Sequence, residues 1–190
     1  MNDLTIIDAL LPYLERLEER DTSNLEMIVL HCTELPTLAM AREYGERILL
    51  PETQTGFSGH YYVDRDGSVY RYVPDNRVAR HVIGYNDRSI GIEIVNLGRF
   101  PQWYHSQHQD CPEPYTMAQI ECVKGLLLML KTRYPQIEKL ARHSDLDTKM
   151  IPAEDDPSVQ IRRKVDPGPM FPWEEISGWW NESNKSFSSK

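Results

Sequence analysis

Three side chains of the 190-residue chain, His31, His143 and Asp166, are of types that hold zinc, and together they would leave a fourth position open for water. His31 closes to the end of the apolar run MIVLHC (27–32), and His143 stands in ARHSDLD just after the short apolar piece IEKLA. Both therefore fall where strands end and side chains converge. Their separations are far too long for a local metal motif such as HExxH. By type alone, His31 reads as a hydrogen-bonded core histidine, His143 as a loop residue and Asp166 as a turn former ahead of Pro167. A second pair is tighter. In RRKVDPGPMF (162–171), Lys164 and Asp166 sit two positions apart and the chain is then restrained by Pro167 and Pro169. A residue before proline is biased to extended backbone. There, positions 164 and 166 share one side while Val165 points away. In RSIGIEIVN (88–96), Ile90, Ile92 and Ile94 alternate with Gly91, Glu93 and Val95, so a strand puts Glu93 on the face opposite the isoleucines, where it can open into a cleft.

The elements needed to position these residues are legible. The run 27–32 suits a buried strand, and PTLAMAREYGERILL (36–50) reads as a helix with Pro36 near its first turn. HYYVDRDGSVYRYV (60–73) is a hairpin, two Tyr- and Val-rich strands joined at Asp66-Gly67. TMAQIECVKGLLLMLKTRY (116–134) is a helix that stops before Pro135 and is apolar widely enough to be deeply buried. At the N-terminus, apolar residues at 6, 7, 10, 11, 14 and 17, with Thr5 and Asp8 in capping-box spacing, predict an amphipathic helix over residues 5–20. Residues 99–114 are rich in Pro, Gln, His and Asp and predict a long, partly ordered loop. The expected organisation is a single domain: an N-terminal helical segment (1–25), a body (26–176) with a mixed α/β (α+β) fold around a central mixed sheet, and a disordered tail (177–190).

Composition narrows the classes. A formal net charge of −8 and scattered arginines argue against a nucleic-acid surface. Three cysteines cannot complete a disulfide framework and point to free thiols and a cytoplasmic setting. No apolar run approaches the ~18 residues of a membrane span, and the N-terminus carries acids where a signal peptide has bases.

IVLHCTE, GHYYVDRDGSVYRYVPDNRVARH, SIGIEIVN, ARHSD and KVDPGP occur in this order. Together, over residues 26 to 173, they resemble the zinc-dependent N-acetylmuramoyl-L-alanine amidases, the family that includes peptidoglycan recognition proteins and phage lysozyme-type amidases. Within it the chain looks most like the cytosolic branch acting on anhydro-muropeptides in cell-wall recycling. The resemblance implies that His31, His143 and Asp166 hold zinc, that Glu93 is the acid/base and that Lys164 stabilises the oxyanion. It also implies a monomeric hydrolase acting on muropeptide or peptidoglycan. His81, in RVARHVIG, resembles a histidine lining the substrate groove of relatives, with a structural role as its alternative. Arg80 and Arg88, with Arg71, Arg162 and Arg163, are candidates to meet stem-peptide carboxylates.

The chain also departs from its relatives. Gly59 stands where some carry a catalytic tyrosine, directly before the histidine matching His60, which itself reads as a core histidine. Cys32 stands where recycling enzymes often carry a polar substrate contact. In the 99–114 loop, His105, His108 and Cys111 are spaced for a second metal if helical, although a polar lid over the cleft is the better reading. Two rivals share the resemblance: an exported amidase acting on polymeric wall, and a non-catalytic peptidoglycan-binding module.

Overall fold

The computed structural model describes residues 4–188. Six strands form one mixed sheet in the order β1-β4-β3-β5-β2-β6: β1 (Ile6–Asp8), β2 (Met27–Cys32), β3 (Tyr61–Val63), β4 (Val69–Arg71), β5 (Ser89–Ile94) and β6 (Lys139–Arg142). The β3/β4 hairpin is antiparallel and every other pairing is parallel. A separate two-stranded antiparallel sheet joins β7 (Met150–Pro152) to β8 (Gln160–Arg162). The helices are α1 (Leu38–Glu46), α2 (Met117–Arg133), the short α3 (His143–Leu146) and α4 (Trp173–Ser188).

Side-chain alternation along the strands divides the molecule into layers. Ile28, Leu30, Ile90, Ile92 and Ile94 pack against α2 through Val123, Leu126, Leu127 and Leu130, and against α4 through Ile176 and Trp180. Helix α2 begins at a complete capping box: the Thr116 side chain accepts from the Gln119 N–H, and the Gln119 side chain accepts from the Thr116 N–H. On the other face, Tyr62 and Tyr72 pack with Ala41 of α1 and with Leu11, Tyr13 and Leu17. Residues 31 and 93 belong to this second face, at the end of the sheet where α1 leaves room. Helix α1 is shorter than its sequence pattern suggests. Thr37 caps it, its side chain accepting from the Met40 N–H at 3.2 Å, so that Pro36 lies ahead of the first turn.

Two expectations are corrected. Residues 5–20 are not an amphipathic helix. Ile6–Asp8 adds a parallel strand to β4, Leu14–Arg16 makes one 3₁₀ turn, and Leu11, Tyr13 and Leu17 are buried. Pro12 lacks the amide a helix interior needs and clashes with the preceding turn, a cost of about 3 kcal/mol. The open edge of β4 offers residues 6–8 a ladder instead. The expected disordered tail is helix as far as Ser188, anchored by Ile176 and by Trp180, whose Nε1 donates to the Glu138 carbonyl at 3.1 Å. Residues 189–190 lie outside the described residues.

Candidate metal centre and cleft

His31, near the end of β2, stands in register with Glu93 on the neighbouring β5. His143 opens α3 directly after β6, the neighbour of β2 on its other side. Asp166 comes from the loop after β8 and is tied to α3, its carbonyl accepting from the Ser144 N–H at 3.0 Å. Three segments remote in sequence therefore meet at one end of the sheet. His31 Nδ1 lies 2.9 Å from His143 Nδ1 and 3.1 Å from Asp166 Oδ2, and His143 Nδ1 lies 3.0 Å from the same oxygen. All three residues are buried, exposed by 2 to 3%. Among the described residues they are the one group of three ligand-type side chains drawn together this way.

This arrangement fits a divalent cation better than it fits a self-contained hydrogen-bond cluster. Two imidazole nitrogens and a carboxylate oxygen converge on one volume, while Asp166 Oδ1 is buried with no hydrogen-bond partner. A buried, unpaired carboxylate oxygen is costly unless a cation compensates it. Two nitrogens and an oxygen, with an open side toward the cleft, make a donor set suited to zinc.

The open side is a cleft of about 630 Å³ that includes Glu34, Tyr44, Phe57, Arg80, Glu93 and Lys164 in its walls. Glu93 Oε1 lies 4.0 Å from His31 Nδ1. Lys164 and Asp166 both face the cleft and Val165 does not, as the extended reading of the segment requires. Burial, reinforced by the charge on Asp166, pushes the Glu93 carboxyl well above the usual range, with Lys164 opposing. For Lys164, burial works against the ammonium, but Asp166, Glu34 and Glu93 together hold its pKa above the ordinary lysine value. Burial is also the first cause that lowers His31, to about 4, helped by repulsion from His143.

The loop carrying Lys164 is fixed from outside the site. Arg99, 3% exposed, donates to both carboxylate oxygens of Glu34 at 2.7 and 2.8 Å and to the carbonyls of Arg162 and Arg163 at 3.1 and 3.2 Å. Tyr115 Oη donates to the Pro167 carbonyl at 2.6 Å. Arg99 was not singled out from the sequence. Its one signal was an arginine at the mouth of a long polar loop, which looks the same whether it is buried or solvated.

The remaining candidates divide. His81 reaches the cleft but is engaged on both ring nitrogens: Nδ1 lies 2.9 Å from His31 Nε2, and Nε2 lies 3.2 Å from Ser89 Oγ. It stands behind His31. Arg80 lines the cleft and keeps a buried Nε without a hydrogen-bond partner. Arg88 does not join them. It opens onto a different surface depression, 3.6 Å from Glu26 and over the Tyr85 ring, because it precedes β5 at the end far from Glu93. Arg71 pairs with Asp8 on the sheet edge.

The second-metal reading of the 99–114 loop is also corrected. His105 pairs with Asp155, whereas Cys111 is buried and its Sγ is directed at the Gln109 carbonyl. The loop is knitted to the body rather than draped over it: Trp103 Nε1 donates to the Glu34 carbonyl at 3.1 Å and the Tyr104 carbonyl accepts from Glu154 at 2.9 Å. His60 is a core histidine, fully buried, its Nδ1 accepting from the Gly91 N–H at 3.0 Å.

A mixed six-stranded sheet with a buried His, His, Asp cluster at the mouth of a cleft defines the class, the fold shared by the amidases and the peptidoglycan recognition proteins. The chain matches the family model described as N-acetylmuramoyl-L-alanine amidase over residues 21–169, and it belongs to that family. It is 25% identical over 180 residues to the N-acetylmuramoyl-L-alanine amidase AmiD of Escherichia coli K12, covering 85% of this chain and 56% of AmiD. It is 33% identical over 120 residues to the 1,6-anhydro-N-acetylmuramyl-L-alanine amidase AmpD of Enterobacter cloacae, covering 58% of this chain and 50% of that one. The chain thus spans about half the length of these two relatives. Among solved structures, the N-acetylmuramoyl-L-alanine amidase LysC from Clostridium intestinale superposes with a TM-score of 0.66 at 26% identity, covering 93% of this chain and 97% of LysC. No helix among the described residues is long and apolar enough to cross a membrane.

Proposed function

We propose that the chain is a zinc-dependent amidase that cleaves the amide between N-acetylmuramic acid, in its 1,6-anhydro form, and L-alanine of the stem peptide. In this reading it acts as a monomer on soluble muropeptides, in cytoplasmic cell-wall recycling. The observation that carries the chemistry is the buried His31, His143 and Asp166 cluster, with an unpartnered carboxylate oxygen, opening on the same cleft as Glu93 and Lys164. The name of the Enterobacter cloacae relative supports the anhydro sugar. The three free cysteines agree with a reducing compartment.

Held by His31, His143 and Asp166, zinc would supply a water of lowered pKa and a polarised carbonyl. Glu93 takes the proton of the attacking water and returns it to the amide nitrogen as the C–N bond breaks, so that alanine leaves as an amine. General acid/base transfer of this kind is typically worth about 100- to 10,000-fold. Lys164 presents its ammonium to the oxyanion of the tetrahedral intermediate, charge that develops only in the transition state. Arg80 is placed to meet a carboxylate of the stem peptide.

The test is incubation of the purified protein with a defined anhydro-muropeptide, as isolated, after chelation and after zinc is restored, with products read by mass spectrometry. Release of intact stem peptide, lost on chelation and regained with zinc, is the expected result. A Glu93→Ala variant that keeps its zinc and its activity would remove the mechanism. The similarity to an endolysin of Klebsiella phage KP32, 31% over 97 residues, keeps polymeric wall as a second substrate, detected as turbidity loss with purified sacculi. Binding of muropeptide without cleavage would identify a recognition module.

A further inference from the structure

Behind His31 runs a chain of hydrogen bonds whose direction is set at one end. Ser89, at the start of β5, is fully buried, and its hydroxyl lies 2.7 Å from the Tyr85 carbonyl, a group that can only accept. The hydroxyl hydrogen is therefore committed to Tyr85, and the Ser89 oxygen presents a lone pair to Nε2 of His81 at 3.2 Å. Nε2 of His81 must be the protonated nitrogen, which leaves Nδ1 bare at 2.9 Å from Nε2 of His31. That nitrogen of His31 must carry its proton in turn. A neutral imidazole has one donor and one acceptor, so Nδ1 of His31 keeps its lone pair, facing His143 Nδ1 at 2.9 Å, and Asp166 Oδ2, which can only accept, takes its hydrogen bond from His143 Nδ1 at 3.0 Å.

The surroundings hold this chain in place. A Cβ at residue 91 would stand 2.6 Å from the His81 ring, so the ring rests against a strand backbone that only glycine leaves bare. The Asn86 side chain accepts from the N–H groups of His81 and Val82 at 2.9 and 2.8 Å. Arg20, reaching in from the N-terminal segment, donates to the carbonyls of Asn86 and Ser89, both at 2.8 Å.

We propose that Ser89 and His81 are positioning residues for the metal centre, which fix His31 in its Nε2–H tautomer and so keep Nδ1 ready to ligate before any metal arrives. Outer partners that orient a metal-binding histidine in this way typically change metal affinity by about 10- to 100-fold. The proposal rests on the reading of His31 as a zinc ligand.

The experiment is long-range ¹H–¹⁵N correlation NMR on the metal-free, ¹⁵N-labelled protein, paired with zinc titration against a chromophoric chelator for the wild type and Ser89→Ala. The expected result is His31 and His81 both protonated at Nε2 in the wild type, and zinc affinity about tenfold weaker in the variant. A wild-type His31 that carries its proton on Nδ1 overturns the proposal whether or not the variant folds. So does a Ser89→Ala protein that binds zinc within twofold of wild type. A wild type that binds no zinc at all removes the metal reading itself, and the proposal with it.

Discussion

Glu93 owes its place to a residue with no side chain. A Cβ at position 59 would come 2.8 Å from Glu93 Cγ and 3.2 Å from the Gly91 carbonyl oxygen, so the Glu93 side chain lies against a backbone that only glycine leaves bare. Gly59→Ala should therefore displace the carboxyl and lower kcat about 10- to 100-fold, the scale on which small misplacements act, while zinc content measured by atomic absorption stays unchanged. Lys164→Ala should cost about 100-fold in kcat with zinc again retained, because removing one oxyanion-stabilising group typically costs that much or more. If both variants kept full activity, the acid/base and oxyanion roles would lie elsewhere. At this scale the sequence was informative: the alternation around Glu93 and the spacing of Lys164 and Asp166 already put them on the cleft side. The role of Gly59 was not legible, since a close approach depends on a strand 34 positions away.

Between elements, the buried pair of Arg99 and Glu34 joins the segment that follows β2 to the residues just ahead of Lys164. Arg99→Ala leaves Glu34 as an uncompensated buried charge, a loss of about 3 to 5 kcal/mol, to be read from the midpoint of urea unfolding. The same variant should lower kcat, because the backbone that carries Lys164 and Asp166 loses two of its anchors. Unchanged stability would mean that the pair is replaced by solvent. Strands β2, β3, β4 and β5 and helix α2 were readable because burial on one face or both writes its period into the sequence. β1 was not. Its apolar positions fit a helical period as well as a strand with turns, and only the free edge of β4, together with Pro12, decided between them.

Over the whole molecule, stability should respond to acid and to metal. Burial, with Arg20 alongside, holds His60 neutral well below the usual histidine range, whereas the unfolded chain takes up a proton on it once the pH falls below about 6.5. More protons bound in the unfolded state means that stability falls as the pH is lowered from there. His60→Gln should flatten that slope by up to about 1.4 kcal/mol per pH unit, measured by chemical denaturation between pH 6.5 and 5. Equal slopes in the two proteins would show that His60 is protonated when folded. Zinc at 100 times its dissociation constant should add about 2.7 kcal/mol, seen as a Tm that falls on chelation.

From the sequence alone came the central sheet strands, the deep helix, the side of its strand on which Glu93 lies and, through resemblance, the residues proposed for the site. These follow from local periodicity and from side-chain types, which a chain carries whatever its neighbours are. Tertiary structure alone decided that β1 closes the sheet, that Arg88 lies outside the cleft, that His81 stands behind His31, and that Arg99 braces the loop of Lys164. Each of these depends on which groups meet across tens of residues. Hydrogen-bond direction and burial are properties of the pair that meets, and neither partner's local sequence contains them.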